Sequence, residues 1–398
     1  GAHDDAAEAL LRLDDLRRDA AAVGVELAVP ADYTQHRRAV LDAAIEGAVD
    51  GSAQLAQSGR FDAALSWLER VDRWQPSAQQ RRRADEARGR IVLFDVAFTN
   101  YGQTVQYRST GAIAAARAGA VASLIRSVGP FGMQTPHTGG MRYADSVRQI
   151  PAAALSMEDA MMLRRMQERG QTPRVRLRME AHVLPDAPSR NVIAEIRGRE
   201  LPDEVIVIGG HIDSWDVAPG AMDDAGGCVA AWEAIRLMKV LGLRPRRTVR
   251  VVLWTNEENG LRGGNAYRDA HRAEVPNHVL AIESDAGVFA PRGFGFTGPD
   301  AAFAVVRQVG RLLAPIGADS ITRGGGGADI GPIMALGVPG MGLTVDGSRY
   351  FWYHHTAADT PDKLDPQDVA RSVAAMAVMA YVAAEMPERI PFGAAPQR

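Results

Sequence analysis

The sequence predicts an α/β protein built on a mostly parallel β-sheet covered by helices. From about Asn191 onward, short runs of β-branched and apolar residues alternate with longer helical stretches, which is the pattern of a parallel sheet covered on both faces. Histidines and acidic residues cluster just after those short runs, where open α/β sheets place their sites. The chain has 398 residues, of which 46% are hydrophobic. That is enough for two or three domains and a large core. No uninterrupted apolar run reaches the roughly 18–20 residues of a membrane helix, so no membrane partner is expected. A formal net charge of −3 gives no overall basic excess to argue for nucleic acid. The single cysteine, Cys228, excludes an intrachain disulfide and any site built from several cysteines. The chain opens on Gly-Ala-His-Asp-Asp, with no initiator Met or signal peptide, so a trimmed start is expected and the compartment is not set by the sequence.

Three regions differ in texture, with expected boundaries 1–87, 88–186 and 187–398. The first is rich in Ala, Leu, Arg and Asp and reads as a helical segment. Residues 7–22 carry Leu10, Leu13 and Leu16 near one helical face, and residues 33–51 form a second helical stretch. Residues 57–69, followed by Trp74-Gln75-Pro76, resemble half of a tetratricopeptide-type hairpin. A single half-repeat reads more simply as an amphipathic layer. The second region is a small α/β module. Strands are expected at 90–95, 121–125, 153–155 and 175–181, and helices at 111–120 and 157–169. A loop punctuated by Gly and Pro spans 129–145. His137 and His182 read as surface or hydrogen-bonded histidines, because neither has a ligand-type partner at metal-binding spacing.

The third region supplies the sheet. Strands are expected at 192–196, 205–209, 248–255, 279–285 and 340–345. Helices are expected at 225–241, 261–271, 300–313 and 367–386, with a short one at 330–336. His211 follows the second of these strands, Glu257 and Glu258 the third, and Asp285 closes the fourth, while Asp223 immediately precedes a helix. Singly, these residues are also what a surface pair, a helix N-cap or a solvated turn looks like. Their shared placement at strand ends joins them into one candidate site.

Chemistry assigns the roles. His211 and His355 offer neutral imidazole nitrogens, good zinc donors. Asp213, two residues beyond His211, is placed to accept from the other ring nitrogen and orient it. Asp223 is the best candidate for a carboxylate shared by two metals, with Glu258 and Asp285 each completing one shell. Glu257, adjacent to a ligand, is left to act as a base. Two zinc ions per chain are therefore expected, for metal-assisted hydrolysis.

The runs that carry these residues are His211-Ile-Asp213-Ser-Trp-Asp-Val, Gly220-Ala-Met-Asp223-Asp224-Ala-Gly-Gly and Trp254-Thr-Asn-Glu257-Glu258. Glu283-Ser-Asp285-Ala-Gly and Tyr353-His-His355-Thr-Ala-Ala-Asp359-Thr continue them. Together they resemble the di-zinc exopeptidase family of carboxypeptidase Q. Residues 100–108, 121–126 and 136–139 resemble that family's inserted protease-associated module. The resemblance covers about four fifths of the chain, from Gln80 onward, while the helical start departs from the family's usual helix and strands. It implies a zinc-peptidase fold with a β-rich protease-associated insert. It also implies that His211 and Asp285 bind one zinc, that Glu258 and His355 bind the other, and that Asp223 bridges them. Glu257 is implied as general base, with Asp213, Asp224 and His354 as supporting residues and a cis peptide between Asp223 and Asp224. The run Gly324-Gly-Gly-Gly-Ala-Asp329-Ile resembles the substrate loop, so Gly326, Gly327 and Asp329 are expected beside the peptide; glycines there permit close backbone approach.

The function expected is hydrolysis of dipeptides or short peptides by zinc-activated water, of carboxypeptidase or dipeptidase type. An aminopeptidase of the same superfamily, a catalytically inactive binding module and a glutaminyl-cyclase-like acyltransferase are the alternatives. Peptide is the expected partner, with a homodimer left open. The resemblance suggests a secreted or periplasmic location.

Overall fold

The structure, a computed structural model, describes residues 87–393. The helices expected at 7–22 and 33–51 and the half-hairpin at 57–69 lie outside the described residues. The described chain divides into two compact units, residues 87–125 with 141–153, and residues 126–140 with 154–393.

The smaller unit is built around β1 (Ile91–Phe94), α1 (Gly111–Arg117) and β2 (Ala122–Arg126). β1 and β2 are parallel, and β3 (Ala152–Leu155) completes a three-stranded sheet of order β1-β2-β3. Ala112, Ile113 and Ala115 of α1 and Leu124 of β2 are buried, so the Ala-rich helix packs by small side chains.

The larger unit carries α2 (Met157–Glu168), whose start is set by Ser156: its hydroxyl accepts from the Asp159 N–H, and Glu158 and Asp159 sit in the first turn. No strand forms at 175–181, which corrects the sequence expectation. Val175, Leu177 and Met179 alternate with charged residues there, but alternation yields a strand only where a neighbour pairs with it, and none does among the described residues.

The main sheet has seven strands: β4 (Val192–Ile196), β5 (Leu201–His211), β6 (Arg247–Trp254), β7 (His278–Glu283), β8 (Pro291–Thr297), β9 (Ser320–Arg323) and β10 (Gly340–Val345). Their order is β4-β6-β5-β7-β10-β8-β9. The central four, β6, β5, β7 and β10, are mutually parallel. β4 and β8 run antiparallel to their inner neighbours β6 and β10. β8 and β9 were not expected from the sequence, because Gly293 and Gly295 dilute the strand signal around the buried Phe294 and Phe296.

Alternation along the central strands feeds two cores. Ile206, Ile208, Val249, Val251, Leu280 and Ile282 face one side, where they meet α3 (Gly226–Val240), α5 (Asp300–Gly310) and α8 (Pro366–Glu385). Val205, Val207, Val252, Trp254 and Ala281 face the other, against Tyr267 of α4 (Arg262–Ala270) and Ile333 of α6 (Gly331–Met334). The sheet is therefore covered on both faces, as the continuous apolar runs of its central strands require. Among the described residues, no helix is long and apolar enough to cross a membrane.

Candidate active site

The carboxyl ends of the four parallel strands deliver the candidate residues to one place. His211 is the last residue of β5, level with Trp254 at the end of β6. Glu257 and Glu258 follow β6 through Asn256, whose backbone turns at φ 63°, a conformation Asn tolerates better than most residues. Asp285 lies two residues beyond β7. His355 follows α7 (Tyr350–Tyr353), which lies between β10 and α8. Asp223 sits in the kinked turn before α3.

Asp223 is the centre of the cluster. Its Oδ1 lies 3.1 Å from His211 Nε2, and its Oδ2 lies 3.2 Å from His355 Nε2. His211 Nε2 is also 3.4 Å from Asp285 Oδ1, and His355 Nε2 is 3.1 Å from Glu258 Oε2. Donors sharing a tetrahedral zinc at about 2.0–2.1 Å stand about 3.3 Å apart, so His211, Asp223 and Asp285 have the spacing of ligands to a common ion, and His355 stands at that spacing from both Asp223 and Glu258. His354 stacks on His355, with ring centroids 3.7 Å apart, and its Nε2 is 3.5 Å from Asp223 Oδ2. It stands beside His355 and Asp223, and with them it has the reach of a donor.

Each imidazole is oriented through its other nitrogen. His211 Nδ1 pairs with the Asp213 backbone carbonyl at 2.8 Å, and His355 Nδ1 with the Thr138 carbonyl at 3.2 Å. An N–H donated there leaves Nε2 free to ligate. The role expected of the Asp213 carboxylate needs correction. Its nearer oxygen is 3.9 Å from the His211 ring, and the carboxylate accepts from the backbone N–H groups of Glu257 at 3.0 Å and Glu258 at 3.3 Å. A turn with exposed N–H groups competes better for that acceptor than a ring already served by a carbonyl. Asp213 thus holds the turn that presents both glutamates.

Asp224, fully buried, accepts from the backbone N–H of His211 at 3.0 Å and of Gly227 at 3.1 Å, fixing the end of β5 against the start of α3. The Asp223–Asp224 peptide is cis, as the resemblance implied. Three supporting side chains had no role in the sequence reading. Asp359 accepts from Met222 N–H at 2.7 Å and Asp223 N–H at 3.2 Å. Trp215 donates its indole N–H to Glu258 Oε2 at 2.7 Å, and the Ser214 hydroxyl donates to the Asp223 carbonyl at 2.7 Å. All three lie within the runs already singled out, but only the fold reveals their targets.

The glycine loop packs inward. A Cβ on Gly327 would stand 2.0 Å from the Glu283 carboxyl carbon, and the Ile330 N–H donates to Glu283 Oε2 at 2.9 Å. Asp329 is buried at 1% exposure, so its carboxyl offers almost no surface to a ligand. Burial, reinforced by Glu283 and Glu257, pushes its pKa up to about 10. At Gly324, by contrast, the space beside the backbone is open. Gly327→Ala is expected to destabilise the fold by about 1–3 kcal/mol, readable as a lowered Tm.

Carboxylates outnumber imidazoles here, and the charge balance shows it. Burial disfavours a charged His211, but the hydrogen bonds it donates to Asp223 and Asp285 outweigh it and hold the ring above the usual histidine range. His355 is raised to about 9, against its burial, by Asp223 and Glu258. Burial and then Asp285 push Glu257 up to about 8. Asp223 resists its burial and stays well below the ordinary value because His354, His211 and His355 surround it. The site calls for positive charge, which protons supply when metal is absent.

A stability profile follows for metal-free protein. Glu257 rises from 4.5 to about 8 and His355 from 6.5 to about 9 on folding. Both raised groups contribute stability at pH values below their ordinary pKa, and lose it as pH rises through the folded value. Metal-free protein should therefore lose thermal stability between about pH 5 and 9. Asp223, whose shift is opposite, contributes stability that is present above its ordinary pKa and is lost only as pH falls into the acid range. A Tm that stays flat or rises across that range contradicts the charge balance described.

Residues 191–380 match Peptidase family M28. The chain is 46% identical over 311 residues to Carboxypeptidase Q of Mus musculus, covering 78% of this chain and 66% of that protein. It is 47% identical over 314 residues to Carboxypeptidase Q of Xenopus laevis, covering 79% and 67%. A solved structure of a Peptidase M28 precursor from Shewanella amazonensis SB2B superposes with a TM-score of 0.72 at 36% identity, covering 80% of this chain and 74% of that one. The chain thus spans just under two thirds of the mouse protein's length.

Proposed function

The chain belongs to peptidase family M28, and from that premise we propose that it is a zinc exopeptidase acting on dipeptides or short peptides. The observation that carries this reading is the Asp223 carboxylate, which turns one oxygen to each of two histidines. In this reading His211 and Asp285 would hold one zinc and Glu258 and His355 the other, with Asp223 available to both. Imidazole and carboxylate donors at this spacing suit zinc. When bound, the ions polarise the scissile carbonyl and lower the pKa of water.

The chain's own residues do the rest. Glu257 takes the proton from the attacking water on its carboxylate and returns it to the leaving amine. Its high pKa in the metal-free protein suits a group that must both accept and release a proton near neutrality. Asp213 holds the Glu257-Glu258 turn by its backbone. Asp359 and Asp224 hold the backbone on either side of Asp223. In the glycine loop, the backbone near Gly324 rather than the Asp329 carboxyl is assigned to the peptide, because only the former has open space beside it.

The decisive experiment counts zinc in the purified protein and assays a panel of dipeptides with free or blocked ends. Two zinc ions per chain and chelator-sensitive cleavage of dipeptides with a free carboxyl end are expected. Absence of zinc removes the proposal. Cleavage that needs only a free amino end replaces it with an aminopeptidase. Asp213→Ala should lower kcat by about 10–100-fold, the usual size of a lost supporting contact, with the His211-side zinc retained. An unchanged kcat would mean that the Glu257 turn holds itself.

A further inference from the structure

His355 is held in an unusual way. Its backbone adopts φ 60°, the left-handed region that a non-glycine residue enters only at a cost. Two hydrogen bonds among the described residues hold it there, and they come from one residue far away in sequence. The Thr138 N–H donates to the His355 carbonyl at 2.8 Å, and the Thr138 carbonyl faces His355 Nδ1 at 3.2 Å. One peptide segment therefore fixes both the backbone and the ring of His355.

Thr138 lies in residues 126–140, which pack with the larger unit although the chain on both sides belongs to the smaller one. The segment has anchors besides Thr138. Phe131 stacks on Trp352, with ring centroids 4.8 Å apart. The His137 N–H donates to Ser127 Oγ at 2.8 Å, and the Ser127 hydroxyl donates to the Leu155 carbonyl at 2.6 Å. Gln134 N–H reaches Glu158 Oε1 at 3.4 Å. The other histidine has no such dependence, since His211 is held by Asp213 and Asp224.

We propose that residues 126–140 form a positioning strap for His355, so that a segment contributing no ligand sets the affinity of one metal position and leaves the other alone. This rests on the two-zinc reading above. The Thr138 carbonyl is the outer partner of a ligating imidazole, a type of contact whose loss weakens metal binding by about 10–100-fold.

Two variants of the full chain test it. Gly139 has φ 142°, which an L side chain rarely adopts, so Gly139→Ala moves the peptide that carries the Thr138 carbonyl. Phe131 is 46% exposed, so Phe131→Ala frees the strap with little effect on the core, and Phe131→Tyr restores the stack. Zinc is measured by competition with a chelator, alongside thermal melting. The expected result is one zinc weakened about 10–100-fold in Gly139→Ala, less in Phe131→Ala, with the second zinc unchanged and Phe131→Tyr like the parent. Two zinc ions held at parental affinity in both alanine variants overturn the strap, as does equal weakening of both ions. A parent protein that binds fewer than two zinc ions overturns the underlying reading itself, a result distinct from the other two.

Discussion

Glu257→Gln is expected to lower kcat on a dipeptide by about 100- to 10,000-fold, the range for a lost general acid–base, while zinc content and Tm stay close to the parent. Gln keeps the shape of the side chain and removes its capacity to take a proton. The backbone N–H of Glu257 remains held by Asp213, so the turn and the neighbouring Glu258 keep their places. Burial and Asp285 push the carboxyl up to about 8 in the metal-free protein. Replacing a group that ionises reluctantly with a neutral one removes little folding energy, and the loss falls on turnover. Activity within a few-fold of the parent in a zinc-loaded variant assigns the proton transfer to another group.

Asp223→Ala is expected to abolish turnover and to empty both metal positions. The two donor sets share this one side chain, with Oδ1 3.1 Å from His211 Nε2 and Oδ2 3.2 Å from His355 Nε2. His355→Ala, by contrast, should empty one position and leave the other, because His211, Asp223 and Asp285 remain together. Zinc added to the parent should raise Tm by mass action, and Asp223→Ala should show no such rise. Calorimetry or elemental analysis distinguishes the outcomes. Two ions retained by Asp223→Ala would exclude a shared carboxylate.

Much of this site was legible because its residues follow β-strands whose apolar runs announce themselves. His211, Glu257, Glu258 and Asp285 each sit within a few residues of such a run, and strands that are parallel and adjacent must release those residues on one rim. β8 was missed because its glycines hide a strand that is stabilised by two buried phenylalanines and by antiparallel pairing with β10. The strand expected at 175–181 failed for the converse reason, a local alternation without a neighbour to pair with.

The candidate ligand types, their order along the chain and the sheet that gathers them were readable before folding, because side-chain chemistry and strand periodicity are local properties. The tertiary structure alone decided what holds them. Asp213 serves a turn rather than a ring, Trp215 and Asp359 reach Glu258 and the Asp223 backbone, and Thr138 clamps His355 across 217 positions of sequence. Hydrogen-bond partners are set by which donors and acceptors end up within about 3 Å of each other, and that proximity exists only once the chain has folded.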